Sequence, residues 1–138
     1  MKRAPELIPL SREHHEALVL ARQACAGAEP DTVREQVLRR WSQQMEAHFA
    51  AEEQVLLPAL ARAGAGEPAA IALHQHAQLR GFVERLQAGD LTALPLWGDA
   101  MRRHVQFEER ELFALAQQLV ELPPLARGLA RPMEYHLT

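Results

Sequence analysis

The chain has 138 residues, the length of one domain, and we expect a single domain over residues 1–138 with one apolar core. It is 48% apolar and 24% charged with a net charge of −3, which argues against nucleic acid or an anionic membrane as a partner. The lone cysteine, Cys25, excludes an intrachain disulfide framework, and the short N-terminal apolar run, broken by prolines, lacks a secretory core. We therefore expect a cytoplasmic protein.

The residue usage predicts an all-α fold. Ala, Leu, Glu, Gln and Arg are abundant, most residues that favour strands are scarce, and no segment alternates apolar and polar residues for long. Glycines and prolines divide the chain into four long segments that each have a helical pattern. The predicted helices cover residues 11–26, 31–63, 68–88 and 93–122.

The first two helices have recognisable start signals. Ser11 is a good N-cap residue for the first helix. Thr32 and Glu35 have the spacing of a capping box at the start of the second. Pro58 lies inside the second helical pattern, where it removes one backbone hydrogen bond, so we expect it to kink or end the helix nearby.

The remaining segments complete a bundle. Pro68 suits the first turn of the third helix, and the fourth begins between residues 90 and 95 and stops before Pro123. A short fifth helix is predicted from about Leu125, with a less regular tail from Pro132. Long helices joined by short connections predict an up-down-up-down antiparallel four-helix bundle with a short C-terminal helical extension.

One phrase occurs twice, 56 positions apart. The stretches HFAAEEQVLLPAL and HVQFEERELFALA both read His, three residues, Glu-Glu, two residues, Leu. Residues four apart share a helix face, so His48 points with Glu52 and His104 points with Glu108. Apolar residues flank both pairs at helical spacing, which directs them into the core. Because unpaired buried carboxylates are costly, these glutamates require a cation.

The other two helices each offer two histidines. On the third helix, His76 shares a face with leucines and valine, whereas His74 does not, so His76 is predicted to point inward. On the first helix the same comparison favours His14, with His15 as an alternative that a small rotation would select. Glu53 and Glu109, one position beyond the inward glutamates, are candidate ligands, hydrogen-bond partners of ligands, or solvated residues.

This donor set indicates the kind of metal. Four imidazoles and two carboxylates without thiolate suit iron or manganese and are less typical of structural zinc. If both glutamates bridge two ions, each ion receives two nitrogens and two carboxylate oxygens. A bridging oxo, hydroxo or water ligand then leaves about one open position per ion, where dioxygen or another small diatomic molecule would bind.

The chain resembles the hemerythrin-like, or HHE cation-binding, family over nearly its whole length. The stretches EHH, HFAAEEQVLLPAL, HQHAQLR and HVQFEERELF carry the resemblance, in this order and on four predicted helices. The resemblance implies a non-heme diiron centre with an oxo or hydroxo bridge that binds or reacts with dioxygen, or senses oxygen or iron. By position, it implies as metal ligands His14 or His15, His48, Glu52, His76, His104, and Glu108 or Glu109.

One feature departs from the oxygen-carrying members of that family. They have two histidines four residues apart on the third helix, whereas here Arg80 follows His76 by four and Gln78 follows His74 by four. One imidazole fewer implies a more open site and faster autoxidation than in a carrier.

Two classes of function follow. The first is a binding or sensing protein for dioxygen, nitric oxide or iron, whose state a second copy or another protein reads; the apolar stretch LTALPLW at 91–97 either packs internally or forms a dimer contact. The second is an enzyme that reduces dioxygen, peroxide or nitric oxide. A metal-free helical interaction module is the remaining alternative.

Overall fold

A computed structural model describes residues 2–130, which form four long helices and one short C-terminal helix and contain no strand. The all-α prediction is therefore confirmed over this range, and the predicted tail from Pro132 lies outside the described residues. We number the helices α1 to α5 in chain order. They are α1 at Ile8–Ala26, α2 at 30–62, α3 at Gly66–Gln87, α4 at 93–119 and α5 at Ala126–Ala130.

The start signals predicted for the first two helices are wrong. Helix α1 begins at Ile8 because a proline fits its first turn, and Ser11 therefore lies inside the helix, where its hydroxyl is free to contact another helix. Helix α2 begins at Pro30, and no side chain caps its N-terminus, so the capping box of Thr32 and Glu35 does not form. In both cases a proline in the first turn sets the start, because its φ angle is already helical.

Pro58 lies within α2 without ending it. The turn Glu52–Leu56 is π-helical, and the Leu57 N–H donates to the carbonyl of Glu52, five residues back. The α-helical pattern restarts at Leu57, which makes Pro58 the second residue of a new helical segment, a position that needs no N–H. The π turn coincides with the disruption predicted at this proline, but α4 has the same turn with Ala114 at the equivalent position, so Pro58 is not its cause.

Helix α4 contains a matching π turn at Glu108–Leu112, where the Phe113 N–H donates to the carbonyl of Glu108. These two π turns begin at the inward glutamate of the repeated phrase, so the sequence repeat is also a repeat in backbone geometry; a third π turn, Trp41–Met45 in α2, lies outside the repeat. Isolated π turns within α-helices are frequent at functional sites. Helix α4 ends at Leu119, three residues before the predicted end, because Val120 adopts an extended conformation.

The core has two apolar clusters with a polar layer between them. One cluster includes Trp41, Met45, Leu79, Trp97 and Met101, and the other includes Leu10, Leu56, Leu60, Leu112 and Phe113. On each long helix the inward histidine lies between residues of the two clusters. The flanking pairs are Leu10 and Ala17 on α1, Met45 and Leu56 on α2, Ala72 and Leu79 on α3, and Met101 and Leu112 on α4.

Gly98 allows α4 to approach α1 closely. A Cβ atom at this position would lie 2.7 Å from the carbonyl oxygen of Ala21 and 2.8 Å from the Cys25 sulfur. The backbone oxygen cannot move without shifting α1. We expect Gly98→Ala to destabilise the protein by about 1–3 kcal/mol, as overpacking usually does, measured by denaturant unfolding.

Gly81 provides the matched control for this substitution. It also lies inside a helix, but no atom would come within 4 Å of an added Cβ. Gly81→Ala should therefore stabilise the protein by about 0.5–1 kcal/mol through helix propensity alone. Equal effects at the two positions would show that close packing at Gly98 is unimportant.

Candidate metal centre

Six ionisable side chains lie in the polar layer between the two apolar clusters. Each has at most 1% of its surface exposed. They are contributed by all four long helices, and every one was predicted to point inward. They are His14 from α1, His48 and Glu52 from α2, His76 from α3, and His104 and Glu108 from α4.

The six side chains form two groups that share both glutamates. Within each group, one donor atom per residue lies within 4.8 Å of every other. The first group contains His14 and His48, the second contains His76 and His104, and both contain Glu52 and Glu108. Each glutamate therefore lies between two pairs of imidazoles, as a carboxylate that bridges two ions would.

Eight inward atoms have no hydrogen-bond partner: the Nε2 atoms of the four histidines and all four oxygens of Glu52 and Glu108. Yet they lie close together. His76 Nε2 is 2.9 Å from Glu52 Oε1, and His14 Nε2 is 2.9 Å from Glu108 Oε1. Two ligand atoms on one metal ion, each bound at roughly 2.1 Å, are roughly 3 Å apart.

The opposite nitrogen of every ring is already occupied. Each Nδ1 is within hydrogen-bond distance of a side-chain oxygen from another helix, so Nδ1–H donates outward and Nε2 faces inward, where it can hold either a proton or a metal ion. The four contacts are His14 with Glu109 at 2.6 Å, His48 with Glu13 at 2.9 Å, His76 with Glu53 at 2.7 Å, and His104 with Gln75 at 2.7 Å. Inward imidazole nitrogens that face carboxylates require a proton or a metal ion between them, and the residues present fit a metal ion.

Two phenylalanines fix the planes of two of these rings. Phe49 stacks on His76 with ring centroids 3.9 Å apart and an interplanar angle of 8°. Phe113 stacks on His14 at 5.4 Å and 14°. Both phenylalanines are fully buried, so they also exclude water from this side of the imidazoles.

The two histidines of the first helix differ in burial. His14 is buried and belongs to the first group, whereas His15 is exposed and lies outside both groups. On the third helix, His76 is buried and His74 is exposed, as predicted.

The two adjacent glutamates on α4 also separate into different positions. Glu108 belongs to both groups, while Glu109 lies behind His14 and outside them. Glu109 accepts further hydrogen bonds from the Ser11 hydroxyl at 2.8 Å and from the Arg3 guanidinium at 3.0 Å. Burial alone raises the pKa of Glu109, but the hydrogen bonds from His14 and Ser11 outweigh this effect and lower its pKa.

Glu53 occupies the matching position behind His76. Arg80 donates to it at 2.7 Å and also binds Glu46 at 2.8 Å. Arg80, four residues after His76, therefore pairs with carboxylates and lies in neither candidate group.

Without a metal ion, the carboxylates favour protonated histidines. Burial lowers the pKa of His14, but the neighbouring carboxylates of Glu108 and Glu109 outweigh it and raise this pKa to about 10. Burial likewise lowers the pKa of His76, which Glu108 and Glu52 raise to about 10. The pKa of Glu108 is held well below its ordinary value against the opposing effect of burial, because His104 and His14 lie beside it. Protons and metal ions therefore compete for the same inward nitrogens.

Four helices that bring eight unpaired nitrogen and oxygen donors together define a helical metal-binding protein. A family model described as Hemerythrin HHE cation binding domain matches residues 9–116. The chain belongs to this family, which confirms the resemblance found in the sequence. No curated protein and no solved structure gives a significant match. Within residues 2–130, no helix is both long enough and apolar enough to cross a membrane.

Several residues around the site were not identified from the sequence. Glu13, Gln75, Phe49 and Phe113 each contact a candidate ligand that lies on a different helix or in a different turn. The only sequence signal is that Glu13 and Gln75 directly precede the inward histidines of their own helices.

Proposed function

We propose that this protein holds a non-heme diiron centre and uses it to bind or sense a small diatomic ligand, dioxygen or nitric oxide, or to sense iron. The observation that carries the proposal is the set of eight unpaired inward donor atoms on six buried residues. In this proposal His14 and His48 would hold one ion, His76 and His104 would hold the other, and Glu52 and Glu108, which belong to both groups, would contribute to both positions. The four helices then run up-down-up-down around the two ions.

The donor set supports iron among the candidate metals. Imidazole and carboxylate ligands without thiolate suit iron or manganese, with zinc as a weaker candidate. Four protein donors per ion leave room for an oxo or hydroxo bridge and for an exogenous ligand. When bound, a pair of iron ions would supply redox chemistry toward dioxygen or nitric oxide.

The residues of the chain itself orient the ligands and keep the site dry. The Nδ1 hydrogen bonds hold all four imidazoles with Nε2 inward, and the stacked phenylalanines shield two of the rings. Because Arg80 replaces an imidazole on α3, we propose faster autoxidation than in an oxygen carrier. An oxygenated complex that persists in stopped-flow spectra of the reduced protein would contradict this proposal.

The absence of a further imidazole on α3 also suits a second candidate, an enzyme that reduces dioxygen, peroxide or nitric oxide with an external electron donor. Steady-state turnover with such a donor distinguishes an enzyme from a sensor, which binds its ligand stoichiometrically.

A sensor needs a partner to read its state, either a second copy or another protein. The stretch at 91–97 packs largely within the chain, since Leu94 and Trp97 are buried, and only Leu96 among its large apolar residues is well exposed. The exposed Cys25 thiol fits a reducing, cytoplasmic location.

Metal content tests the proposal directly. We expect protein purified under anaerobic, reducing conditions to contain two iron atoms per chain by elemental analysis. Admission of air should then produce oxo-bridged diiron absorption in the near ultraviolet. Folded protein that contains no metal and takes up no iron would overturn the proposal and leave a helical interaction module.

A further inference from the structure

One histidine of the first candidate group, His14, has the same kind of surroundings as one histidine of the second group, His76. His14 and His76 each donate Nδ1–H to a glutamate that directly follows a shared glutamate in sequence. An arginine also binds each of these outer glutamates, so their charges are similarly compensated. The matching sets are Glu109 with Arg3 behind His14, and Glu53 with Arg80 behind His76.

The remaining histidines of the two groups, His48 and His104, have different hydrogen-bond partners. His48 contacts the carboxylate of Glu13 at 2.9 Å, whereas His104 contacts the amide oxygen of Gln75 at 2.7 Å. Glu13 and Gln75 occupy corresponding positions, each directly before the inward histidine of its helix. The two groups therefore differ in the acceptor next to a candidate ligand, which is a carboxylate in one and an amide in the other.

This difference determines how strongly each imidazole is held in the tautomer that binds a metal ion. An ionised carboxylate only accepts hydrogen bonds, so Glu13 holds His48 in the tautomer with Nε2 free. A glutamine side chain offers either its oxygen or its amide N–H groups, so Gln75 is able to pair with either tautomer of His104. The carboxylate also makes its imidazole more basic and attracts the cation.

We propose that the two metal positions have unequal affinities for divalent cations and that Glu13 sets the difference. The first position, formed by His14, His48 and the shared glutamates, fills before the second position, formed by His76, His104 and the same glutamates. Glu13 is a positioning residue that acts through His48. The inference rests on the proposed dinuclear site, because it assigns different affinities to its two halves.

Calorimetric titration of the metal-free full-length protein with Co²⁺ tests this inference. Co²⁺ is chosen because it resists oxidation by air and reports its coordination in its visible spectrum. We expect two separate binding steps of one ion each. His48→Ala should abolish the tighter step and His104→Ala the weaker one.

Two reciprocal substitutions test the role of Glu13. In Glu13→Gln, both His48 and His104 have an amide as hydrogen-bond partner. The affinity of the tighter step should therefore fall about 10- to 100-fold, the usual effect of removing such a partner, and approach that of the weaker step. Gln75→Glu should strengthen the weaker step by a similar factor. Gln75→Glu keeps the test decisive if Glu13→Gln fails to fold.

Glu16→Gln is the matched control, because it removes the same charge from α1 at an exposed residue that pairs with Arg40. Both Co²⁺ steps should be unchanged in this variant. Two steps of equal affinity in the original protein, or no response to the two reciprocal substitutions, would overturn the inference while the dinuclear site stands. Failure to bind any Co²⁺ or iron would instead overturn the proposed function and the inference with it.

Discussion

Glu52→Gln or Glu108→Gln is expected to remove both metal ions, whereas His48→Ala or His104→Ala is expected to remove one. The reason is that each glutamate belongs to both groups and each histidine to only one. A glutamine side chain keeps the shape but replaces one bridging oxygen with an N–H donor group, which a cation repels. Metal content after exhaustive dialysis should therefore fall from two ions per chain to none in the glutamine variants.

The glutamine variants should remain folded without metal. In the metal-free protein these carboxylates pair with protonated His14 and His76, so removing one breaks a buried ion pair, and the metal-free variants should be less stable than the metal-free original protein. Glu111→Gln, an exposed neighbour on α4, is the control and should keep both ions. Retention of a full ion by Glu52→Gln would mean that Glu52 serves only one metal position.

The repeated phrase predicts the two buried His and Glu pairs of the candidate site. Residues four apart stay on one face of a helix, so His48 with Glu52 and His104 with Glu108 were identifiable from spacing alone. The flanking apolar residues also directed them inward correctly, because the same residues form the two clusters above and below the polar layer.

Choices between adjacent residues needed the structure. Neighbouring residues differ by about 100° around a helix, so a modest rotation exchanges His14 with His15, or Glu108 with Glu109. The rotation of α1 depends on its packing against the rest of the bundle, and that of α4 depends on the π turn at Glu108–Leu112. Neither is encoded in the local apolar pattern.

The hydrogen-bond partners of the candidate ligands could not be predicted from sequence spacing for another reason. Glu13 lies next to His14 in the chain but contacts His48 on α2. Such a contact depends on the axial register of two helices, which loop lengths and core packing set together. The capping box predicted at Thr32 is absent for a simpler reason. The helix begins two residues earlier, at Pro30, because the fixed φ angle of proline is already helical.

Metal binding should stabilise the protein more as the pH rises. In the metal-free protein the pKa values of His14 and His76 are raised from 6.5 to about 10. Their contribution to stability is therefore complete below pH 6.5 and is lost as the pH rises toward 10. Glu108, whose pKa is lowered, contributes above its ordinary pKa and loses that contribution as the pH falls through the lowered value.

The metal-loaded protein should not lose stability in this way over the range where these histidines titrate, because the metal ion has already displaced their protons. A metal ion displaces the proton from each inward Nε2, so binding releases at least the protons of His14 and His76. With two protons released, the apparent constant for binding both ions together rises about 100-fold per pH unit. The stability gained from metal rises with it. Thermal unfolding with and without metal at pH 6, 7 and 8, in buffers of equal ionic strength, measures this gain.

The gap between the two melting temperatures should widen from pH 6 to pH 8 and should be absent at every pH in Glu52→Gln, which binds no metal. Calorimetric titrations in buffers of different ionisation enthalpy give the number of protons released. A gap that stays constant with pH, or binding without proton release, would mean that the inward nitrogens are already unprotonated in the metal-free protein. In that case the lone pairs of His14 and His76 would face the carboxylates of Glu108 and Glu52 at 2.9 Å with no proton between them, an arrangement whose cost the fold would have to offset elsewhere.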